Sequence, residues 1–561
     1  MSVLTSLSCV FEKMKGKYVL GILSVLFFCS YLYLHAIESF GDLNTRNFHT
    51  IISNQPDEMA NYFFIKELVF NHSFGWYESL NDRAFDQVHA RSMTVINGRL
   101  EPIGFPFFIV LISAFVFLPV TFFGASIFNI VVISFVPLLA IASNFLLYGI
   151  VRRVWNVRMA FISSFLFFLI PSWWYWSGRP FQHVVPFIFF LILSIYGIVR
   201  MFDASHDSRK KICFTFLSAF GIACALAIRP TELLWVLGLY SYLLYLIRAH
   251  VSRRQFVVGG GTVFLVALLF FVTQDAFYGS PFASGYVKPV ASGFAGSIFD
   301  GGQGVSFFRA FFFPFGFHSF AILKTVYHYF VLLFNLWSAL LVVSCIFILL
   351  RGQSVIRNYV FVYGAVSVYL VCWYGSWNFT DNLLGIPSIG SSQTRYFMPV
   401  YVGMIVPLAY CFDRLLHVFS IKKQILMTTV LFSILLFFSY RDVFLSLPEG
   451  LSTVRNTLIE NQEKQREIYT HVPMHSVVLT RFGDKYVFPG RKVLIRTEEE
   501  VWARAVKNLL ESGVPVWWYD LKLGGEERDV VEQVLDREEL VLGVVRVGWD
   551  NLELREVSLK K

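Results

Sequence analysis

Asp57 and Glu58 stand side by side at the start of PDEMANYFFIKELVF, where Met59, Tyr62, Phe63, Phe64, Ile65 and Leu68 give the stretch an amphipathic surface. The spacing predicts a short helix lying on a membrane. Acids directly behind Pro56 suit a helix N-terminus, because its free N–H groups and macrodipole stabilise negative charge. A carboxylate at a membrane surface is also placed to act as general base on an acceptor hydroxyl or amine, if the other substrate is carried by a lipid. Local grounds leave both roles open. The same segment continues through His72, Asp82, Asp86, His89 and Arg91, a polar and aromatic content expected of a long functional loop.

A second set of candidates is cationic. Arg179, Arg229 and Arg395 lie at the ends of apolar runs, where a charge is costly unless it reaches the interface or finds a partner. The planar guanidinium fork also suits the phosphate of a lipid-borne substrate. His183 lies near Arg179 and Tyr396 follows Arg395. Gly279, Pro281, Gly285 and Tyr286 open a glycine-rich stretch reaching Gly304, either a flexible loop or a lid over substrate. No P-loop or dinucleotide fingerprint accompanies these glycines, so a lipid-linked donor is expected rather than a nucleotide-linked one. No cofactor is assigned, and a divalent cation stays open.

The elements that must position these residues belong in a bilayer. Of 561 residues, 56% are hydrophobic and only 15% charged, with a mean hydropathy of +0.59, far from a soluble composition. Apolar runs near the roughly 20 residues needed to cross as a helix recur from Leu20 to Tyr440. Ten-residue alternating segments, the mark of a closed barrel, are absent. Spans are expected near 18–36, 125–150, 159–175, 181–202, 212–228, 231–248, 255–273, 325–350, 358–375, 396–416 and 424–440. The net charge of +9 comes largely from clusters in alternate loops, such as Arg152, Arg153 and Arg158, or Arg209, Lys210 and Lys211. That pattern marks cytoplasmic loops, not a nucleic-acid footprint. The seven cysteines show no paired spacing that suggests a metal site or disulfides.

Those clusters share a side with the lysine-rich N-terminus only if the apolar run 102–123 lies in the interface or re-enters, giving about eleven spans. Pro102, Pro106 and Pro119 suit such a broken helix. The segments 37–101, 274–324 and 376–395 then face the exterior. Beyond residue 440 a soluble segment, 441–561, has strands expected at 476–480, 486–495, 515–519 and 540–547. Trp502, Ala505, Val506, Leu509 and Leu510 form one face of a helix over 498–513. The expected fold is therefore an α-helical polytopic membrane domain over 1–440, followed by a small α/β or α+β domain on the exterior side, with the N-terminus cytoplasmic.

An acidic pair after the first span, an amphipathic helix and a proline-rich interfacial run together resemble the GT-C superfamily of membrane glycosyltransferases. The likeness is greatest to protein O-mannosyltransferase-like and lipid A aminoarabinose transferase-like enzymes. It continues through SGRPFQHVVPF, GIACALAIRPTELLW, YGSPFASGY and TRYFMPV, and covers about residues 15–440. The resemblance implies an inverting hexosyl or pentosyl transfer from a polyprenyl-phosphate carrier to a protein, glycan or lipid acceptor at the extracytoplasmic face. It implies Asp57 as base with Glu58 in support, and Arg395 with Tyr396 at the lipid phosphate; the residues themselves add Arg229, Arg179 and His183 as candidates there, and Tyr286 and Arg99 as further substrate-binding candidates. The family's lysine-proline signature reads here as NGRLEPIGFPFF, with Glu101 where a lysine is common and Arg99 two residues earlier. A lipid or small-solute transporter is the alternative from another class.

Overall fold

The computed structural model describes residues 18–35, 51–203, 207–248, 251–283, 285, 315–377, 386–497, 500–549 and 551–560. Tyr286 and the glycines from 293 to 304 fall outside that set. Among the described residues, nine helices are long and apolar enough to cross a membrane, or eleven if each of two bent helix pairs is one span. Apolar side chains such as Phe264, Leu268, Val343 and Phe361 are exposed on them, as expected of surfaces solvated by lipid. The chain is an integral membrane protein. It divides into two compact units: residues 1–37, 132–269 and 306–453 form one, and residues 38–131, 270–305 and 454–561 the other.

In the first unit, Val184–Asp203 packs on Ser208–Ile228 at backbone contact. A Cβ added to Gly197 would lie 2.8 Å from the Phe214 carbonyl oxygen, and one added to Gly221 would lie 2.7 Å from that of Phe190. Small residues allow this approach, which dispersion forces and the Ser194 Oγ bond to the Ser218 carbonyl reinforce. The span expected near 159–175 is broken. Val157–Leu169 and Pro171–Ser177 meet at 63°, because Pro171 cannot donate to the preceding turn and holds Ile170 extended at φ −60°, ψ 119°.

The second unit carries both sheets. A small antiparallel one has the order β1-β3-β2, with β1 at Trp76–Tyr77, β2 at Met93–Ile96 and β3 at Arg99–Pro102. Its β2–β3 hairpin turns at Asn97 and Gly98, whose φ of 53° and 76° are the positive values that Asn-Gly turns supply. The larger sheet has the order β5-β4-β6-β8-β7. β4 (Val477–Thr480), β5 (Lys492–Ile495) and β6 (Val516–Leu521) run parallel, while β8 (Leu552–Leu559) lies antiparallel to β6 and to β7 (Leu540–Gly548). This is the small α/β domain, with one departure. The strand expected over 486–495 is a helical turn, Asp484–Val487, followed by the four residues of β5, since Pro489 has no N–H to give a ladder and Gly490 weakens one.

Helix Val501–Glu511 turns Trp502, Ala505, Val506 and Leu509 onto this sheet, each large apolar side chain contributing about 1.5–3 kcal/mol by leaving water. Ala84 and Val88 join Leu479, Leu494, Trp502 and Trp518 in the same core. Ala84 and Val88, from the segment after the first span, thus pack into the core of the C-terminal sheet domain.

Helix Pro106–Phe123 has the length and hydropathy of a span, yet both its ends lie against that segment. Near its start, the Ile103 amide donates to the Ser92 carbonyl at 3.0 Å. Towards its end Phe117 meets His72, and just beyond it Phe128 meets Phe70 while Asn129 accepts from the Tyr62 hydroxyl at 2.9 Å.

Candidate active site

In the first unit, the break before Pro171 opens a turn at 178–183 whose backbone, though not helical, is wholly buried. Irregular backbone at such depth needs internal partners, and the Arg179 and Gln182 amides donate to the Trp176 and Arg179 carbonyls at 3.2 Å. Trp176 ties the turn to the short helix Ser392–Tyr396 by donating to Thr394 Oγ1 at 3.0 Å. Thr394 Oγ1 in turn donates to the carbonyls of Ile389 and Ser391. Arg395 is thereby fixed. Its Nη1 donates to Gln182 Oε1 and its Nη2 to Ser392 Oγ, each at 2.7 Å.

Two more arginines share that aromatic lining. The Arg395 guanidinium lies 5.3 Å from the Trp176 ring and Arg179 lies 6.0 Å from it. Tyr396, stacked on Tyr374 at 4.4 Å, has Arg229 at 4.9 Å and Arg395 at 6.0 Å. The three arginines are 1%, 1% and 8% exposed for Arg179, Arg229 and Arg395. His183, 2% exposed, feels the charges of both Arg229 and Arg395. The structure therefore brings Arg179, His183, Arg229, Arg395 and Tyr396 into one cluster. Three guanidinium groups around shared rings offer the planar donor forks that suit a phosphate.

Sequence reasoning missed Glu232. It sits 2.7 Å from Arg229, accepts from the Tyr374 hydroxyl at 2.7 Å and from Trp235 Nε1 at 2.5 Å. The signal was present in the i, i+3 spacing of Arg229 and Glu232 across the turn after Pro230. The consequence is that Arg229 carries its own counter-charge.

The acidic pair belongs to the second unit. Helix Pro56–Lys66 begins with Pro56 in its first turn and Asp57 and Glu58 behind it. Glu58 is buried and accepts from Ser53 Oγ at 2.6 Å. Asp57 is half-buried and its Oδ1 accepts from Ser92 Oγ at 2.5 Å. Ser92 has φ 61°, a left-handed conformation that costs a non-glycine residue about 1 kcal/mol or more. Its surroundings must hold it there, and Arg91 does so. The Arg91 amide and guanidinium both bind Asp484, at 2.9 Å to Oδ2 and at 3.0 and 2.7 Å to Oδ1.

Arg99 and Glu101 lie on β3. Arg99 Nη2 reaches the Gly75 carbonyl and Ser73 Oγ, each at 3.4 Å, and its Nε lies 3.7 Å from Glu101. Glu101 is 1% exposed and lies flat against Gly75, where an added Cβ would come within 2.0 Å of its carboxylate. Burial pushes its carboxyl up to about 8, against a weaker downward pull from Arg99. A neutral acid thus stands where the resembling enzymes often have a lysine. Among the described residues no three His, Cys, Asp or Glu side chains are grouped so as to hold a metal ion.

No protein-family model matches the chain and no curated protein matches it. Among solved structures it is similar to ArnT from Cupriavidus metallidurans bound to undecaprenyl phosphate, with 10% identity and a TM-score of 0.55 over 95% of this chain and 97% of that one. The apo form of that protein gives 10% identity and 0.54, over 94% and 97%. An archaeal oligosaccharyltransferase, AglB from Archaeoglobus fulgidus, gives 12% identity and 0.48, over 90% of this chain and 69% of that one. At such identities the likeness is one of fold, and it extends from the spans through the C-terminal domain: the chain shares the fold of the Cupriavidus protein.

Proposed function

We propose that the chain is a glycosyltransferase that moves a sugar from a polyprenyl-phosphate carrier to an acceptor at the extracytoplasmic face, with the C-terminal domain on that side and the N-terminus in the cytoplasm. The observation that carries the reading is the buried arginine cluster around Trp176 and Tyr396, set in a fold also adopted by a protein bound to undecaprenyl phosphate. In this reading the acceptor hydroxyl or amine attacks the anomeric carbon as Asp57 takes its proton. The bond from that carbon to the phosphate oxygen breaks, and its electron pair leaves with the polyprenyl phosphate. Attack opposite the leaving group inverts the centre. Arg395 and Tyr396 hold the phosphate and Arg395 stabilises its growing charge, with Arg179, Arg229 and His183 around them. Glu58 fixes the start of the helix that carries the base. Arg99 and Tyr286 are further substrate contacts in this reading.

The test is transfer from radiolabelled polyprenyl-phosphate mannose, glucose and aminoarabinose in membranes holding wild type or Asp57→Asn. A label that moves with wild type and falls by about 10²–10⁴-fold with Asp57→Asn supports the base. Full transfer by Asp57→Asn would sink that assignment. A wild-type chain that moves no label but carries lipid between leaflets would favour a transporter.

A further inference from the structure

We infer that Asp484, on the C-terminal sheet domain, is a positioning residue for Asp57; this rests on Asp57 being the general base. The path between them is short in space although 393 residues of chain separate Arg91 from Asp484. It starts in the sheet. At the end of β4, Thr480 Oγ1 accepts from the Gly483 amide at 2.9 Å, and Gly483 packs so closely on β6 that an added Cβ would lie 2.5 Å from the Tyr519 ring. That seat fixes the next residue, Asp484, which is 0% exposed.

From there the grip passes to Arg91. Both Asp484 oxygens are used, one by the Arg91 backbone amide and the other by its Nε and Nη2. Nη2 also donates to the Phe482 carbonyl at 3.2 Å, and the guanidinium lies 5.3 Å from the Phe482 ring. A carboxylate that binds both the backbone and the side chain of one residue fixes its φ and ψ as well as its position. The next residue in the chain is Ser92, held at φ 61°, whose hydroxyl donates to Asp57 and whose carbonyl accepts from Ile103. Without the Asp484 grip, Ser92 is free to relax to an ordinary backbone conformation, which swings its hydroxyl off the Asp57 carboxylate. Two further contacts set the same segments in register: Lys485 Nζ donates to the Asn54 carbonyl at 2.9 Å, and Lys492 pairs with Glu78 at 2.6 Å. The C-terminal domain is thus the mould in which the base is set.

The experiment uses the full chain in membranes and the labelled polyprenyl-phosphate sugar whose label moves. Asp484→Asn is expected to lower kcat at least tenfold with the KM for that donor within twofold, since the arginine cluster is untouched. Ser92→Ala is expected to lower kcat in the same way. The double variant should be no worse than the poorer single one, because both changes cut the same path. A purely structural role predicts multiplied losses and a parallel fall in the amount of folded protein. Wild-type kcat for Asp484→Asn, or multiplied losses in the double variant, overturns the inference. Should Asp484→Asn lose its melting transition, Arg91→Lys decides, since it keeps the charge and loses the fork: a tenfold loss of kcat supports the inference and wild-type kcat overturns it. Full activity of Asp57→Asn would instead remove the base itself, an outcome distinct from either.

Discussion

Arg229 and Glu232 face each other across 2.7 Å at the turn between two spans, each side chain 1% exposed. Charge buried this deeply persists only with a partner, and removing one member leaves the other uncompensated at a cost of about 3–5 kcal/mol. Arg229→Ala is therefore expected to lower the melting temperature sharply and the yield of folded protein with it. Arg229→Met combined with Glu232→Gln should recover much of that loss. Thermal melting of the purified variants checks this, and a double variant as unstable as Arg229→Ala would show that the pair matters for something other than mutual compensation.

Arg395 should behave differently. It is bound by Gln182 and Ser392 and lies over Trp176, so its fork geometry is set by the protein in advance of any ligand. Arg395→Lys keeps the charge and loses the planar two-pronged donor set. The expected result is a tenfold or greater weakening of polyprenyl-phosphate binding, with little change in melting temperature. Titration of the purified protein with undecaprenyl phosphate measures it, and unaltered affinity would remove Arg395 from the phosphate site.

Much of this was legible in the sequence because membranes simplify the code. Every described span expected from hydropathy is helical, although those near 159–175 and 325–350 are bent pairs of helices, and the arginines singled out at span ends do converge. What stayed hidden has physical causes. Strand β8 reads LELREVSL, in which Glu553, Arg555 and Glu556 interrupt the apolar Leu552, Leu554 and Val557, so its apolar content alone was too low to suggest a strand. The hairpin at Asn97-Gly98 was there to be seen. Asp484 could not have been linked to Arg91 from the sequence, because the two meet only through tertiary folding of segments at opposite ends of the chain.

Glu101 makes stability depend on pH. Its folded-state value, raised by burial to about 8, lies above the ordinary one, so the folded protein holds a proton that the unfolded chain has released. The stability this represents is fully present below about 4.5 and is lost as pH rises through about 8, at roughly 1.4 kcal/mol per unit within that window. Glu101→Gln mimics the protonated form and should flatten the decline. Melting temperatures from pH 5 to 9 compare the two proteins; equal slopes would mean that Glu101 is ionised throughout.

The run 102–123 offers the sharpest test of topology. Its helix is long enough to cross, yet Ile103 bonds to Ser92 near one end and Phe117 meets His72 near the other, with Phe128 beside Phe70 just beyond. In the proposed topology such a helix does not carry the chain to the opposite face. With this helix in the interface, as proposed, the following span, Phe128–Val154, would begin on the side of Asp57 and end with Arg152 and Arg153 in the cytoplasm, as the positive-inside rule requires. Single cysteines at Asp82 and at Thr121, in a background lacking the native ones, should then both react with a membrane-impermeant maleimide applied from the extracytoplasmic side. Labelling of Asp82→Cys alone from that side, with Thr121→Cys reached only from the cytoplasm, would mean that the helix crosses and would reverse the orientation of every span after it.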